Sequence, residues 1–204
     1  MLIDFTQIPT RDAYQWMVTT IMPRPIAWVS TLSPDGKTNL APFSFFQGIT
    51  ANPPTLMFVP VNNREGGKKD TLRNIELLPE FVVNLVPHRM AAQMNDTAAL
   101  LPYGESEFAR FGVASLPSSR VRPPRVADSP VAFECTLDQI VRIGTGAIAA
   151  NVVFGRIVMA HVKDEVIGPG GLPDSSKLDL VGRLGGEDYA TTRETFTLAR
   201  PDRA

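Results

Sequence analysis

The stretch Ile26-Ala-Trp-Val-Ser-Thr-Leu32, with the tetrapeptide Ser33-Pro-Asp-Gly36 directly after it, decides the fold class of this chain. The first segment is rich in β-branched and aromatic residues, which favour a strand. In the tetrapeptide, proline presets one backbone torsion and glycine adopts the positive φ that closes a turn. Thr38-Asn-Leu40 starts a return strand. The sequence therefore predicts a β-hairpin here.

Further strand signals follow this hairpin. Phe43 to Thr50 and Leu56-Met-Phe-Val59 predict strands, separated by the break Asn52-Pro-Pro54. Phe81-Val-Val-Asn-Leu-Val86 predicts a buried strand that ends at Pro87.

A long hairpin is predicted near the end of the chain. Val131 to Ile143 and Ala147 to Val162 flank the turn Gly144-Thr-Gly146. Strict alternation in the first of these strands would place Leu137, Gln139, Val141 and Ile143 on one face.

Helical signals are few and short. Asp70 or Thr71 can cap a helix whose apolar face carries Leu72, Ile75 and Leu78. Residues 90–99 and 105–111 predict two more short helices, and the prolines between 116 and 130 predict a loop or an extended edge.

Many strands with few short helices predict a mainly β protein, a β-barrel with helical additions. A doubly wound α/β fold is disfavoured, because regular alternation of strands and helices is missing, as is a G-x-G-x-x-G turn. Neither side of the proline-rich loop has a complete set of strands, so we expect a single domain over residues 1–204.

Composition excludes several classes of protein. The formal charge is −1, without a stripe of Lys and Arg, so nucleic acid is not an expected partner. No apolar stretch reaches the roughly 18 residues of a membrane span, and no signal peptide is recognised, so we expect a cytoplasmic protein. The single cysteine, Cys135, excludes an internal disulfide and lies in an apolar run, where an inert thiol is expected.

Candidate catalytic side chains are scarce. His88 and His161 are the only histidines, and neither is accompanied by a G-x-S-x-G elbow. One cysteine and two distant histidines match no metal-ligand spacing, so no metal is expected. If the protein is an enzyme, a cofactor carries its chemistry and no side chain is expected to be catalytic.

Two segments could form a ligand site. Asn39-Leu-Ala-Pro-Phe-Ser-Phe-Phe46 combines polar groups with three aromatic rings, although an ordinary core strand would look similar. Lys68-Lys-Asp-Thr71 follows Arg64 and opens the predicted helix, and a helix N-terminus favours a phosphate. The alternative is that Asp70 caps the helix and the lysines are solvated.

Taken together, the ordered segments resemble the flavin reductase-like family of FMN-binding split β-barrels, a Greek-key fold that includes flavoredoxin. The resemblance covers roughly residues 10 to 200. The matching segments are Arg24-Pro-Ile-Ala-Trp-Val-Ser-Thr31, Asp35-Gly36, Asn39 to Phe46, Lys69-Asp-Thr71 with Asn74, Glu80-Phe-Val-Val-Asn84, Gly155-Arg-Ile-Val158, and Gly182-Arg-Leu-Gly-Gly186 with Tyr189.

The resemblance implies a homodimer with each FMN near the subunit interface. It implies that the FMN phosphate is held by Ser44, Arg64, Lys69 and Thr71, with the isoalloxazine along the backbone from Phe43 to Gln47. Tyr103 resembles part of a segment that covers the flavin, the alternative being a surface helix cap. The implied cofactor-binding residues are Ser30, Thr31, Asn39, Pro42, Phe43, Ser44, Phe45, Phe46, Gln47, Arg64, Lys69, Asp70, Thr71, Tyr103, Arg183 and Tyr189.

The function that the resemblance implies is an NAD(P)H-dependent flavin reductase. It would move hydride from NADH or NADPH to flavin and could supply a flavin-dependent oxygenase or another redox protein. The alternatives are an FMN-bound electron carrier reduced by a protein donor, and a binding module that uses the cleft for another ligand. Basic and hydroxyl residues between 64 and 71 favour the two flavin functions.

Overall fold

The computed structural model of the chain describes residues 1–201, so residues 202–204 of the predicted single domain lie outside the described part. The strands are β1 (Arg24–Pro25), β2 (Ala27–Leu32), β3 (Thr38–Phe43), β4 (Phe46–Ala51), β5 (Pro54–Phe58), β6 (Glu80–Asn84), β7 (Ser115–Leu116), β8 (Arg125–Val126), β9 (Val131–Ile143), β10 (Ala150–Val162), β11 (Val181–Arg183) and β12 (Tyr189–Thr191). The α-helices are α1 (Thr10–Thr20), α2 (Asp70–Leu77), α3 (Ala91–Asp96), α4 (Glu107–Arg110) and α5 (Ser175–Leu178), with 3-10 turns at His88–Met90 and Asp164–Val166.

A seven-stranded antiparallel sheet in the order β3-β2-β6-β9-β10-β5-β4 forms the body of the protein. A second sheet joins β1, β11 and β12, and β7 pairs with β8. The prediction of a mainly β fold with few short helices is therefore confirmed.

The sheet rolls into a barrel because its two edge strands are joined by very little chain. β3 and β4 stand at opposite ends of the strand order, yet only Ser44 and Phe45 connect them. Three residue steps span about 10 Å at most, so the two edges must lie close together. The single strand predicted over Phe43 to Thr50 is thus wrong: β3 ends at Phe43 and β4 begins at Phe46.

The predicted first hairpin is confirmed. β2 pairs with β3 in register from Ala27 opposite Phe43 to Leu32 opposite Thr38. Gly36 has a φ of 77°, and its N–H donates to the Ser33 carbonyl at 2.9 Å. A residue with a Cβ rarely adopts this torsion, so glycine determines the turn.

The long hairpin is also confirmed, although β10 begins at Ala150 and not at the predicted Ala147, and the predicted strict alternation in β9 is wrong. Phe154 pairs with Gln139 and Gly155 with Leu137, which leaves Asp138 as the extra residue of a β-bulge. The bulge changes the phase of the strand, so Leu137 and Ile140 both pack against the core. Val141 and Ile143 are exposed instead.

The start of α2 corrects the capping prediction. The helix begins at Asp70, Lys69 occupies the N-cap position, and no side chain caps the helix. Leu72 and Ile75 are fully buried, as the apolar face predicted. Thr71, one residue into the helix, is also buried, because its hydroxyl is directed toward β3.

Alternate residues of β2 face two different cores. Ala27 and Val29 belong to the larger cluster, in which the Phe58 ring packs tilted against Phe43 and edge-to-face against Phe81. Trp28 belongs to the second cluster and donates from Nε1 to the Thr97 hydroxyl at 2.9 Å. Cys135 lies in the larger cluster, and burial raises its thiol pKa far above the ordinary value, which leaves it inert.

Candidate functional site

A groove made of two adjoining cavities runs past the end of β3. The cavities have volumes of about 370 and 360 Å³ and share Pro42 and Ala98 in their walls. Each falls within the usual size range of a ligand pocket. We call them the arginine cavity, after Arg24 and Arg183, and the α2 cavity, after the helix that opens into it.

A buried hydrogen-bond network forms the floor of the α2 cavity. The Asn39 amide donates to the Thr71 hydroxyl at 3.0 Å and to the Thr31 hydroxyl at 3.3 Å. The Asn74 amide also donates to Thr31, at 3.0 Å. Because the Thr71 oxygen already accepts from Asn39, its own O–H is left to donate, and Thr71 lines the cavity.

Tyr103 lies at the mouth of the α2 cavity. Its hydroxyl donates to Asn74 Oδ1 at 3.1 Å, and the Arg73 guanidinium lies 5.5 Å from its ring centroid. The side chain is 47% exposed, so it covers the buried network from the solvent side. The alternative of a plain helix cap is not what the geometry shows, because Ser106 occupies the N-cap position of α4.

Positive charge gathers where α2 opens into its cavity. Lys69, Lys68 and Arg73 all line the wall. Lys68 is paired with Glu76 at 2.6 Å and Arg73 with Asp70 at 3.9 Å, whereas Lys69 has no ion pair within residues 1–201. The first turn of a helix adds unpaired N–H groups and a positive dipole.

Two carboxylates share the same cavity. Burial raises the pKa of Asp70, although the nearby charges of Arg73 and Lys69 oppose the shift. Burial also raises the pKa of Glu107, whose Oε2 accepts from the Leu40 N–H at 2.8 Å. The α2 cavity therefore combines free donors with carboxyl groups that ionise less readily than usual.

The arginine cavity is lined by groups that hold each other in place. Arg24 donates to the carbonyls of Val18 at 2.6 Å and Leu184 at 2.8 Å, which ties the end of α1 to the turn after β11. Arg183 donates to the Tyr189 hydroxyl and lies 4.6 Å from the centroid of that ring. Tyr189 in turn donates to Asn95 Oδ1 at 3.0 Å.

The structure brings most of the residues implied by the family resemblance to the groove. Those in its walls are Asn39, Pro42, Phe43, Ser44, Lys69, Asp70, Thr71, Tyr103, Arg183 and Tyr189. Thr31 lies directly beneath, as part of the hydrogen-bond network.

Other implied residues lie outside the groove. Ser30 is fully buried on the opposite face of β2 and donates to the Pro124 carbonyl, because neighbours on a strand point to opposite sides. Phe45, Phe46 and Gln47 lie on the bend and the edge strand β4, outside both cavity walls. Arg64 is exposed on the preceding loop and does not line either cavity.

Sequence reasoning missed several residues of the site. Arg24, Asn95 and Glu107 line the groove, and Asn74 supports it, although none was a candidate binding residue. Arg24 and Asn74 lay in the segments that carried the resemblance, so their position was a usable signal. No sequence signal marked Asn95 and Glu107, because tertiary packing brings their helices to β3.

The described residues show no assembled hydrolytic or metal site. Within residues 1–201 no group of three ligating side chains lies close enough to hold a metal ion. His161 is paired with the buried carboxylate of Glu134, and His88 contacts Arg193. No helix in that part of the chain has the length and apolar character to cross a bilayer.

Comparison with known proteins shows which family the chain is similar to. The sequence profile described as a flavin reductase like domain matches residues 18–174. Nitrilotriacetate monooxygenase component B from Bacillus cereus is 32% identical and superposes with a TM-score of 0.91, over 97% of this chain and 98% of its own. The 2-nitrobenzoate 2-nitroreductase of Pseudomonas fluorescens is 30% identical with a TM-score of 0.87, over 98% and 96%.

A more distant structure identifies the architecture. A protein of Shewanella frigidimarina, described as a flavin reductase with a split barrel domain, has a TM-score of 0.82 at 24% identity, and each chain is covered completely. That likeness concerns the fold alone, and it agrees with a sheet whose edge strands β3 and β4 are unpaired but held close together by a two-residue connection. The chain therefore belongs to the flavin reductase-like family, as a flavin oxidoreductase built on a split β-barrel.

Proposed function

We propose that the protein binds FMN along the groove and acts as an NAD(P)H-dependent flavin reductase. One observation carries the proposal. At the N-terminus of α2, Lys69 has no ion pair within residues 1–201, the Thr71 O–H remains to donate, and the groove also offers helix N–H groups. This set of donors fits a phosphate dianion.

The phosphate end of FMN belongs in the α2 cavity. Lys69 supplies the charge and Thr71 a hydroxyl donor, while Asn39 and Thr31 hold the threonine in place. Ser44, which the resemblance assigned to the phosphate, lines the other cavity and so faces the ring end instead. Arg64 lies outside the cavity wall, so it is not among the residues proposed to bind the phosphate.

The ring end of FMN belongs along Pro42, Phe43 and Ser44, where the two cavities meet. The bound flavin supplies the electron-accepting chemistry, and the protein positions the ring and tunes it through hydrogen bonds. This division of roles explains why the groove needs no nucleophile. Tyr103, tethered to Asn74, closes the phosphate end against solvent.

The donor of electrons is the second part of the proposal. A nicotinamide can reach the ring through the open groove, so a separate dinucleotide-binding domain is unnecessary. The family name, which denotes flavin reductases, supports this reading. A flavin-dependent oxygenase is a fitting partner, since a similar protein is named as a component of a monooxygenase.

The competing function is an FMN-bound carrier that takes electrons from a protein donor. Anaerobic stopped-flow mixing of the FMN-loaded protein with NADH or NADPH separates the two. A reductase bleaches the flavin absorbance band within seconds. If neither nicotinamide bleaches the band over many minutes while dithionite does, the carrier function replaces the one proposed.

We also propose a homodimer in which each groove lies near the subunit interface. α1 exposes Tyr14 and Met17 at helical spacing, and the exposed apolar row continues through the C-cap residue Ile21 to Met22. Tyr14 at the same time lines the arginine cavity. A partner packed on this row would therefore adjoin the ring end of the groove.

A further inference from the structure

Among the described residues 1–201, the wall of the arginine cavity has two guanidinium groups and no carboxylate. Arg24 and Arg183 are directly opposite each other in the antiparallel pair of β1 and β11. Like charges in that position repel and destabilise a sheet. Within residues 1–201 neither arginine forms an ion pair with an acidic side chain. The fold thus retains two adjacent positive charges without neutralising them.

Arg24 supplies a fixed charge. Its side chain is buried, with 6% of the residue exposed, and it donates to three main-chain carbonyls, those of Val18, Ile21 and Leu184. Burial is the main cause of the lowered pKa of Arg24, and the charge of Arg183 lowers it further. An arginine stays protonated at neutral pH all the same.

Arg183 supplies the free donors. Its terminal nitrogens each donate once, to the Tyr189 hydroxyl and to the Gly186 carbonyl. Its Nε–H and one N–H on each terminal nitrogen have no protein acceptor in the described residues. Because Tyr189 and Gly186 hold the guanidinium in place, its remaining edge is ready for a planar, two-oxygen acceptor.

The rest of the wall continues the same pattern. Tyr189 donates to Asn95 Oδ1, and within residues 1–201 the amide N–H groups of Asn95 have no side-chain or main-chain acceptor. Ser44 accepts from Arg24 at 3.5 Å and can donate its own hydroxyl hydrogen. Pro42 and Met94 add apolar surface. A cavity with donors, positive charge and an apolar wall suits a small anion on an apolar frame.

We propose that the arginine cavity is a binding site for a small organic carboxylate. The carboxylate pairs with Arg183, receives a hydrogen bond from Asn95, and packs its apolar part against Pro42 and Met94. The position of the flavin ring next to this cavity rests on the proposed function. The charges and hydrogen-bond donors of the cavity do not depend on it. The site would place a small organic anion beside the flavin.

The rival explanation is that both arginines serve the flavin ring itself. Benzoate is a suitable probe, because benzamide has the same shape without the charge. Calorimetric titration of the full chain at low ionic strength, with and without FMN, should show benzoate binding to both forms and benzamide binding to neither. Low salt matters because exposed charges are screened within about 10 Å at 0.1 M.

Substitutions in the cavity wall test whether benzoate binds at Arg183 and Asn95. Arg183→Gln should weaken benzoate binding about tenfold or more, the loss of a charge-assisted contact. Arg183→Lys, which keeps the charge without the planar fork, should lose less. Asn95→Asp keeps the acceptor for Tyr189 but adds a negative charge that repels the carboxylate, so it should weaken benzoate binding at least as much as Arg183→Gln. Arg156→Gln removes an arginine that pairs with Asp138 on the barrel surface and should change nothing.

Several outcomes would overturn the inference. Benzoate that binds only when FMN is absent would show that the arginines belong to the flavin ring. Equal affinity for benzoate and benzamide, no binding of either, or an Arg183→Gln variant with unchanged affinity would each remove the anion site. If benzoate binds as expected but FMN does not, the proposed function fails and the anion site stands.

Discussion

At the scale of single residues, two adjacent lysines have different environments. Lys68 is 42% exposed at its side chain and paired with Glu76 at 2.6 Å, on the flank of α2. Lys69 precedes the first turn of the helix and has no ion pair within residues 1–201. The proposed binding of the FMN phosphate therefore depends on Lys69.

Lys69→Ala should weaken FMN binding about tenfold or more, because a charge-assisted hydrogen bond contributes roughly 1.5–3 kcal/mol. Riboflavin lacks the phosphate, so its affinity should change little. Fluorescence titration with both flavins measures the two constants, and Lys37→Ala, an exposed lysine outside both cavity walls, is the control. Equal weakening of FMN and riboflavin would mean that Lys69 has only a structural role.

Glu134 is the second residue whose contribution can be measured alone. It is fully buried, and its carboxylate accepts from the N–H groups of Ser119, Arg120 and Val121 at 2.6–3.1 Å and pairs with His161. Burial opposes ionisation, but these donors outweigh it and hold the pKa of Glu134 below its usual range. The carboxylate thus fixes the proline-rich loop to the barrel.

Glu134→Gln should lower the free energy of unfolding by about 2–4 kcal/mol at pH 7, since backbone donors lose a charged acceptor. A lowered pKa means that the stabilisation is complete above the unfolded value of about 4.3 and is lost as pH falls through the folded pKa. Urea unfolding at pH 7 and pH 3 should therefore show a smaller difference between wild type and variant at pH 3. An equal difference at both pH values would contradict this assignment.

Ser30 and Thr31 show how much of the site can be predicted from the sequence. Both were implied flavin contacts, but neighbours on β2 face opposite sides. Thr31 supports the groove while Ser30 bonds to the proline-rich loop. Which side faces the groove depends on where α2 and the proline-rich loop pack, and that packing is not encoded locally.

At the scale of elements, local sequence signals predicted the hairpins correctly, but they did not predict which distant strands pair. The hairpins β2–β3 and β9–β10 were predictable because turn residues and strand formers lie next to each other. The position of β6 between β2 and β9 was not predictable, because this pairing joins segments that are far apart in sequence. The bulge at Asp138 also escaped, since no residue type in β9 marks it.

Close contact between β10 and β6 gives a test of this packing. A Cβ built on Gly155 would overlap Phe81 Cζ, and that ring is fully buried against Phe58. Gly155→Ala should therefore lower the free energy of unfolding by about 1–3 kcal/mol, the usual cost of overpacking. Gly170→Ala, with no atom within 4 Å of the new Cβ, is the control for urea unfolding. A Gly155→Ala variant as stable as wild type would show that the two strands are less tightly packed.

At the scale of the whole molecule, the exposed apolar row on α1 predicts association. Light scattering at micromolar concentration should give about twice the 22.3 kDa chain mass. Met17→Glu, which places a charge in the middle of that row, should shift the protein toward the monomer. A wild-type monomer at that concentration would contradict the proposed dimer, and full FMN binding by a monomer would place the whole site within one subunit.

The central claim is that the groove past the end of β3 holds FMN by its phosphate. Equilibrium titration of the flavin-free chain with FMN, followed by the quenching of flavin fluorescence, tests it most directly. We predict saturable binding of one FMN per chain, with a micromolar or tighter dissociation constant and weaker binding of riboflavin. A titration that shows no saturation would contradict the claim.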